Sequence, residues 1–398
     1  MDDVNDDFIK KIFDGELRSG QIHADYYLNV ANKLTDAISA GMKIKGLASD
    51  SPQTRMFEKF RSNIFAFSAA KSLTMLQEYS RALVDEKGQR RSYSGFRNKA
   101  VEIGQVFNDD HFRTEYNSAI AKAQMGAKWD RLKNYSMLEY RTVGDQRVRK
   151  KHAELDGLRL PPDHPLWAKI YPPNDWGCRC TVIPVEGKEQ TNSEIAQQYA
   201  DGPALKPYFK QNSGIEHVAF NEDQHPYFER IKQFRTGVMK QVELLAEENY
   251  NMHPVEKIVS RHGLPQLNLA QTKEEAMQQW ASSQKSAKAV DGVEWNIGDR
   301  WDHVVEHHAA DDRWKYINHT RELLEKADEV WVSKEKLPDG NVGTFKRYVK
   351  YYKGQPMVLS YPVEHPDQWT MYAADLDSTG KFKKMRDQVR RGVLIHRK

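Results

Sequence analysis

Apolar residues recur at helical spacing through the first third of the chain. Phe60, Ile64, Phe67, Ala70, Leu73 and Leu76 fall on one face of a helix, and Phe112, Tyr116, Ala119, Ala123 and Ala127 repeat the pattern. Stripes of this kind are first of all core. Residues 85–94 between them are polar and predict a loop. After Cys180, the run Thr181–Pro184 is a short strand candidate that stops at proline. Residues 186–260 are polar and broken by Gly202, Pro203, Pro207, Gly214, Pro226 and Pro254, which predicts a linker holding one helix over about 226–251. The character then changes. Residues 318–326 read as a helix. Residues 329–333, 345–352, 356–361 and 369–373 run apolar or alternate, with β-branched and aromatic residues, and predict consecutive antiparallel strands. Asp339, Gly340 and Asn341 suit a hairpin turn, and residues 393–395 suit a last strand. No internal repeat is visible. The expected class is α+β: a helical N-terminal domain with a small loop-rich Cys/His lobe, then a C-terminal domain of a helix on an antiparallel sheet. The expected divisions are a helical arm over 1–50, a domain over 51–185, a linker with helix over 186–260 and a last domain over 261–398.

At 398 residues, 39% hydrophobic and 29% charged, the chain is long enough for two or three globular domains. It has no run of 18 apolar residues, so no membrane span or membrane partner is expected, and its acidic start lacks the apolar segment of a secretory signal. The net charge of +4 is unevenly spread. Residues 331–398 hold 14 Lys and Arg against 7 Asp and Glu, a balance of +7, which leaves −3 for the rest. The tail is thus the part suited to RNA or packaged DNA.

The densest chemistry lies in residues 141–180. Forty residues contain three Trp or Tyr, five prolines and both cysteines of the chain, Cys178 and Cys180. Two cysteines so close cannot build a disulfide framework, which points to a reducing compartment or a thiol role. Thiolate and imidazole are preferred zinc ligands, and a structural site needs four. Cys178, Cys180 and His152 supply three, with Asp145 or Asp156 as the fourth; on a helix, positions 145 and 152 would share a face. A structural zinc would pin a lobe that has little core of its own. Two other readings stay open. The cysteines can be small buried hydrophobes with His152 bonded to a backbone carbonyl, or one can be a catalytic thiol, although no base is set beside Cys178.

These residues resemble the phage Mu F-like minor head protein family, also called the phage head morphogenesis family. The likeness is carried by Arg141-Thr142; by Asp145, Arg147, Val148 and Arg149; and by His152 with Leu155-Asp156-Gly157. It continues through Pro165 and Trp167 to Pro172-Pro173-Asn174, Trp176 and Cys178-Arg179-Cys180. It extends over about residues 50–185 and includes the helix from Arg113 and Tyr116 to Ala123, Met125 and Trp129. The resemblance implies a minor component of a tailed-phage or prophage head, in the virion and in the host cytoplasm during assembly. Its expected partners are the portal, the scaffold or the major capsid protein. No catalytic residue is implied for this domain.

The tail resembles, over about residues 290–398, the phage barnase–EndoU–colicin–RelE-like nuclease domains. The likeness rests on His319, Ala327 to Trp331, Arg347, Tyr348, Lys350, Trp369-Thr370 and Arg391 to Leu394. It implies a helix packed on a four-stranded antiparallel sheet and a metal-independent ribonuclease. Such chemistry needs a base, an acid and cations for the developing charge. His319, Arg321, Arg347, Thr370 and His396 are the catalytic candidates, and Lys346, Lys350 and Tyr372 the nucleic-acid-binding ones. The bland alternatives are a surface histidine and a solvated basic face, with a purely structural head protein whose basic tail binds nucleic acid without cleavage. His303 and His307, with His308, Glu306 and Asp311 nearby, have a spacing that can hold a metal, but they lack the HExxH order of a zinc protease and read first as an exposed helix.

Overall fold

The structure is a computed structural model that describes residues 2–17, 20–234, 250, 252–283, 285–298, 313–337, 340–373 and 389–398. The chain packs as two compact units, residues 1–44 with 59–233 and residues 45–58 with 234–398. The class is α+β. Among the described residues no helix is long and apolar enough to cross a membrane.

The first unit is built on helices α1 (Asp2–Phe13), α2 (Ala24–Met42), α3 (Pro52–Ala82), α4 (Tyr93–Gln105) and α5 (Phe112–Leu132). The stripe expected from Phe60 to Leu76 is buried along its whole length. The polar loop ahead of α4 ends at Ser92, whose hydroxyl accepts from the Gly95 amide and caps the helix. Gly41 lets α2 approach α5, since a Cβ there would lie 2.5 Å from the Ile120 carbonyl oxygen. A turn of π-helix, Val106–His111, joins α4 to α5. Its Phe107 carbonyl accepts from the buried Lys71 ammonium at 2.8 Å, and Lys71 also meets Glu115 at 2.5 Å.

Behind α5 stands a three-stranded sheet of β1 (Leu138–Arg141), β2 (Arg159–Leu160) and β3 (Thr181–Pro184), ordered β2-β1-β3 and antiparallel throughout. Two single-turn helices, α6 (Lys150–Ala153) and α7 (Trp167–Ile170), and the short α8 (Glu194–Asp201) complete the lobe. Its core is not small. Trp129, Leu138, Tyr140, Leu160, Trp167 and Tyr171 pack together, joined by Ala196, Tyr199, Leu205 and Phe209. The last four come from the stretch expected as a linker, so residues 194–209 close the core instead of spacing two domains. Periodicity misses them because the segment is short, polar outside and broken by prolines. Further on, α9 (Ser213–Glu216) and α10 (Pro226–Phe234) belong to the same unit. The rest of the helix expected to residue 251 lies outside the described residues, apart from Tyr250.

The second unit holds a five-stranded antiparallel sheet, ordered β10-β6-β7-β8-β9. The strands are β6 (Glu329–Lys336), β7 (Val342–Tyr352), β8 (Gln355–Pro362), β9 (Thr370–Ala373) and β10 (Val393–Arg397). All the expected strands form, and β10 pairs with β6, which adds a fifth strand to the four implied by resemblance. Between β6 and β7 the Leu337 amide donates to the Asn341 carbonyl at 2.7 Å; Asp339 of the expected hairpin turn is outside the described residues. Helix Thr320–Glu325 lies on one sheet face, where Glu322 accepts from the Tyr352 hydroxyl at 2.9 Å. A small hairpin of β4 (Ser286–Lys288) and β5 (Glu294–Asn296) sets Trp295 against Tyr361 on that same face, ring centres 4.7 Å apart.

Candidate metal centre

Three local devices bring His152, Cys178 and Cys180 together. Gly157, at φ +79°, turns the chain so that its amide donates to the Tyr140 carbonyl, while Asp156 accepts from the Thr142 amide at 2.7 Å. These bonds tie the segment carrying α6 and His152 to the end of β1. Trp167 and Tyr171 anchor the following turn in the core, with the Tyr171 hydroxyl donating to the Met125 carbonyl at 2.9 Å. Asn174 then donates to the Ile170 carbonyl, and Gly177, at φ +66°, reverses the chain into Cys178. Cys180 leads directly into β3.

The Nδ1 atom of His152 lies 3.6 Å from the Cys178 sulfur and 3.7 Å from the Cys180 sulfur. All three ligand atoms are within 4.8 Å of one another. Zinc bonds of about 2.3 Å to sulfur and about 2.0 Å to nitrogen, at a tetrahedral angle, put nitrogen and sulfur about 3.5 Å apart. The observed spacing therefore fits one ion without movement of the backbone. The donor types also fit, two soft sulfurs and an imidazole. Tyr140 and Tyr199 lie against the thiols, and their hydroxyls, with Asn174 Oδ1, make no hydrogen bond of good geometry among the described residues.

The thiols are unlike each other. The Cys180 thiol hydrogen-bonds to Cys178 and holds its pKa low, helped by His152 and the backbone amides of Asn174 and Cys180, against the effect of burial. Cys180 is raised, by that same interaction and by burial. These directions favour a thiolate on Cys178 over one on Cys180, and a thiolate is the form of cysteine that binds a metal.

Asp145 does not join the group. The expected helix between 145 and 152 does not form, because Gly144 takes φ +71° and the Asp145 carboxylate caps the Arg147 amide at 3.0 Å. Both Asp145 oxygens bind the Arg179 guanidinium, at 2.7 and 2.8 Å, and this partner holds the carboxyl pKa down to about 2. The alternative, Asp156, is committed to Thr142.

The site has residues that sequence reasoning passed over. Lys122 of α5 is buried near Cys178, its ammonium 5.4 Å from the Phe209 ring centre, and burial lowers its pKa to about 7. Its signal was a lysine three positions after Ala119 on an apolar stripe. Arg149 pairs with Asp175 at 3.0 Å and donates to the Trp176 carbonyl at 2.7 Å, bracing the thiol loop.

In the second unit the candidates divide between the two sheet faces, because alternate residues of a strand point opposite ways. Lys346 and Lys350 share a face with Tyr348 and Tyr352, under the helix. Lys346 is fully buried, with Glu58 at 3.2 Å and Asp291 against its ammonium, and Lys350 donates to the Lys326 carbonyl. His319 lies on this side too: its Nε2 donates to the Asn268 carbonyl at 2.9 Å, and its ring is 5.9 Å from that of Tyr352. Arg321 is paired with Glu325. Arg347 points the other way, donating to Ser333 at 2.7 Å and Glu335 at 2.6 Å. Thr370, which accepts from Arg313, and Tyr372 follow it on that face. His396 sits on β10 opposite Val330. Arg347, Thr370 and Tyr372 are brought together; His319, Lys346 and Lys350 are not brought to them. The His303, His307, His308, Glu306 and Asp311 group lies outside the described residues.

Comparison with known proteins bears on the first unit. The chain is 37% identical over 70 residues to the Mu-like prophage FluMu F protein of Haemophilus influenzae, covering 18% of this chain and 17% of that one. It is 32% identical over 88 residues to the putative capsid assembly protein F of Escherichia phage Mu, covering 21% and 19%. The aligned stretch thus spans about a fifth of the length of these curated relatives. No solved structure matches the chain significantly. Residues 28–183, from within α2 through the Cys/His group to β3, match the family model described as Phage Mu protein F like protein, and this part of the chain is similar to that family.

Proposed function

We propose that this protein is a minor head component of a tailed phage or prophage, acting in capsid assembly and carried in the virion after assembly in the host cytoplasm. The observation that carries this reading is the matched region, residues 28–183, which includes α3 to α5 and the His152, Cys178 and Cys180 group. The name of the phage Mu relative, a putative capsid assembly protein, supports the same role. Portal, scaffold or major capsid protein are the partners this role requires. The test is a nonsense mutation of the gene in an inducible lysogen, with electron microscopy of the lysate and mass spectrometry of purified particles. Defective heads and presence in wild-type particles are expected. Normal heads together with absence from particles would rule the role out.

Zinc is the ion assigned to the Cys/His lobe, on the strength of the 3.6 and 3.7 Å nitrogen–sulfur spacings. It would be held by His152, Cys178 and Cys180 and would brace the loop between α6 and β3. Purified protein should contain about one zinc per chain by elemental analysis. Cys178→Ser should remove it, and a metal-free wild-type protein would count against the assignment.

A ribonuclease role for the second unit is favoured by one observation, a helix packed on an antiparallel sheet with Arg313, Arg347, Thr370 and Tyr372 gathered on the opposite face. The full chain, incubated with bacterial RNA and EDTA, tests it beside His319→Ala and Arg347→Ala. Cleavage that survives EDTA and fails in Arg347→Ala is the expected result. Salt-sensitive binding without cleavage would reduce the basic tail to a nucleic-acid contact.

A further inference from the structure

Resting on the metal reading above, we propose that the ion keeps its fourth coordination position open and takes a small exogenous anion there, such as a phosphate oxygen. The protein offers three ligands, and among the described residues no fourth His, Cys, Asp or Glu atom joins the group. The nearby candidates are engaged elsewhere: Asp145 by Arg179, Asp156 by Thr142, Asp175 by Arg149 and the Trp176 amide. His164 is turned to its own backbone, where Nδ1 accepts from the Leu166 amide at 3.2 Å. Three protein ligands with a free position, two cysteines and one histidine among them, are the pattern of zinc sites that bind an exchangeable ligand; closed structural sites have four.

The surroundings define which ligand. A notch of about 20 Å³ is lined by His152, Cys178 and Cys180 together with Arg147, Arg149 and Arg179. It holds one ion or one water, for which about 10–15 Å³ suffices. The other polar residues that line it are these three arginines, whose guanidinium fork of donors matches an oxyanion. Arg149 and Arg179 are positioned by Asp175 and Asp145, while Arg147 is largely exposed, its side chain 82% accessible and 3.8 Å from Asp145. Arg147 is therefore the guanidinium able to turn toward an incoming anion. A second, larger cavity of about 460 Å³, between the thiol loop and α5, also counts Cys178 and Cys180 among its lining residues.

Cobalt(II) exchanged into the full-length protein makes the geometry visible. A thiolate-to-cobalt charge-transfer band reports that the ion is bound, and the ligand-field bands report its fourth ligand. Titration with azide, with inorganic phosphate and with a short single-stranded oligonucleotide is expected to shift the ligand-field bands saturably for the two small anions. A response to the oligonucleotide as well would identify the polymer backbone as a source of the phosphate. Arg147→Ala should raise the anion concentration needed by about two- to fivefold with cobalt stoichiometry unchanged. Bound cobalt whose bands ignore both small anions would overturn the open position while leaving the metal reading intact. Absence of the charge-transfer band would remove the metal reading itself, and this inference with it.

Discussion

Lys122 tests the electrostatics around the thiols. Its ammonium is buried and makes no hydrogen bond among the described residues. Among the described residues its favourable neighbours are the Phe209 ring and the fields of Glu216 and Cys178. Burial therefore lowers the pKa from 10.5 to about 7. That separation corresponds to a cost on the order of 5 kcal/mol when the native state holds the proton. Below about pH 7 the native and unfolded chains both hold it, and the full cost is present. Between about 7 and 10.5 the unfolded chain holds a proton that the native chain has released, so stability rises with pH through that window. Lys122→Met keeps the volume and removes the charge. In EDTA-treated protein it should raise the unfolding free energy by roughly 3–5 kcal/mol at neutral pH. Its advantage over the parent should shrink by roughly 3 kcal/mol on going to about pH 9.5. Urea unfolding followed by tryptophan fluorescence at the two pH values reads both effects, and comparison with the parent cancels titration of groups that Lys122 does not act on. A variant less stable than the parent at neutral pH would refute the reasoning, because the ammonium would then be charge-paired in the native state.

Other consequences are as open to measurement. Lys71→Met leaves the Glu115 carboxylate buried without its counter-charge, and should cost about 3–5 kcal/mol in denaturant unfolding; adding Glu115→Gln should recover much of it, and a single variant of parental stability would show that the pair is not needed. Gly214→Ala sets a Cβ 2.0 Å from the Trp129 Cβ, so it should destabilise the first unit by about 1–3 kcal/mol or more and lower its melting temperature by several degrees. Asp145→Asn should leave the zinc content unchanged; loss of zinc would restore this carboxylate as the fourth ligand. The Asp145–Arg179 pair contributes fully above the ordinary carboxyl pKa of 3.8 and fades as the pH falls toward about 2, so any loosening of the thiol loop in acid should appear in that range, by hydrogen exchange at Arg179 and its neighbours.

Elements that rest on local pattern were legible in the residues. The Phe60 to Leu76 stripe marks α3 because a 3.6-residue period survives any tertiary context. The strands from Glu329 to Ala373 announce themselves by β-branched and aromatic runs, and the dense motif from Arg141 to Cys180 carries the likeness to the Mu F-like family that residues 28–183 show. The same motif brought His152 and the two cysteines forward together, since few residue types bind a soft metal. Tertiary structure decided the rest. It turned Asp145 from ligand to ion-pair partner, because one left-handed glycine replaced a helix by a turn. It drew Tyr199 and Phe209 out of an apparent linker, because burial depends on what covers a residue and not on the polarity of its neighbours. It divided His319 from Arg347, because their packing across a pleated sheet puts them on opposite faces, whatever chemistry their side chains share.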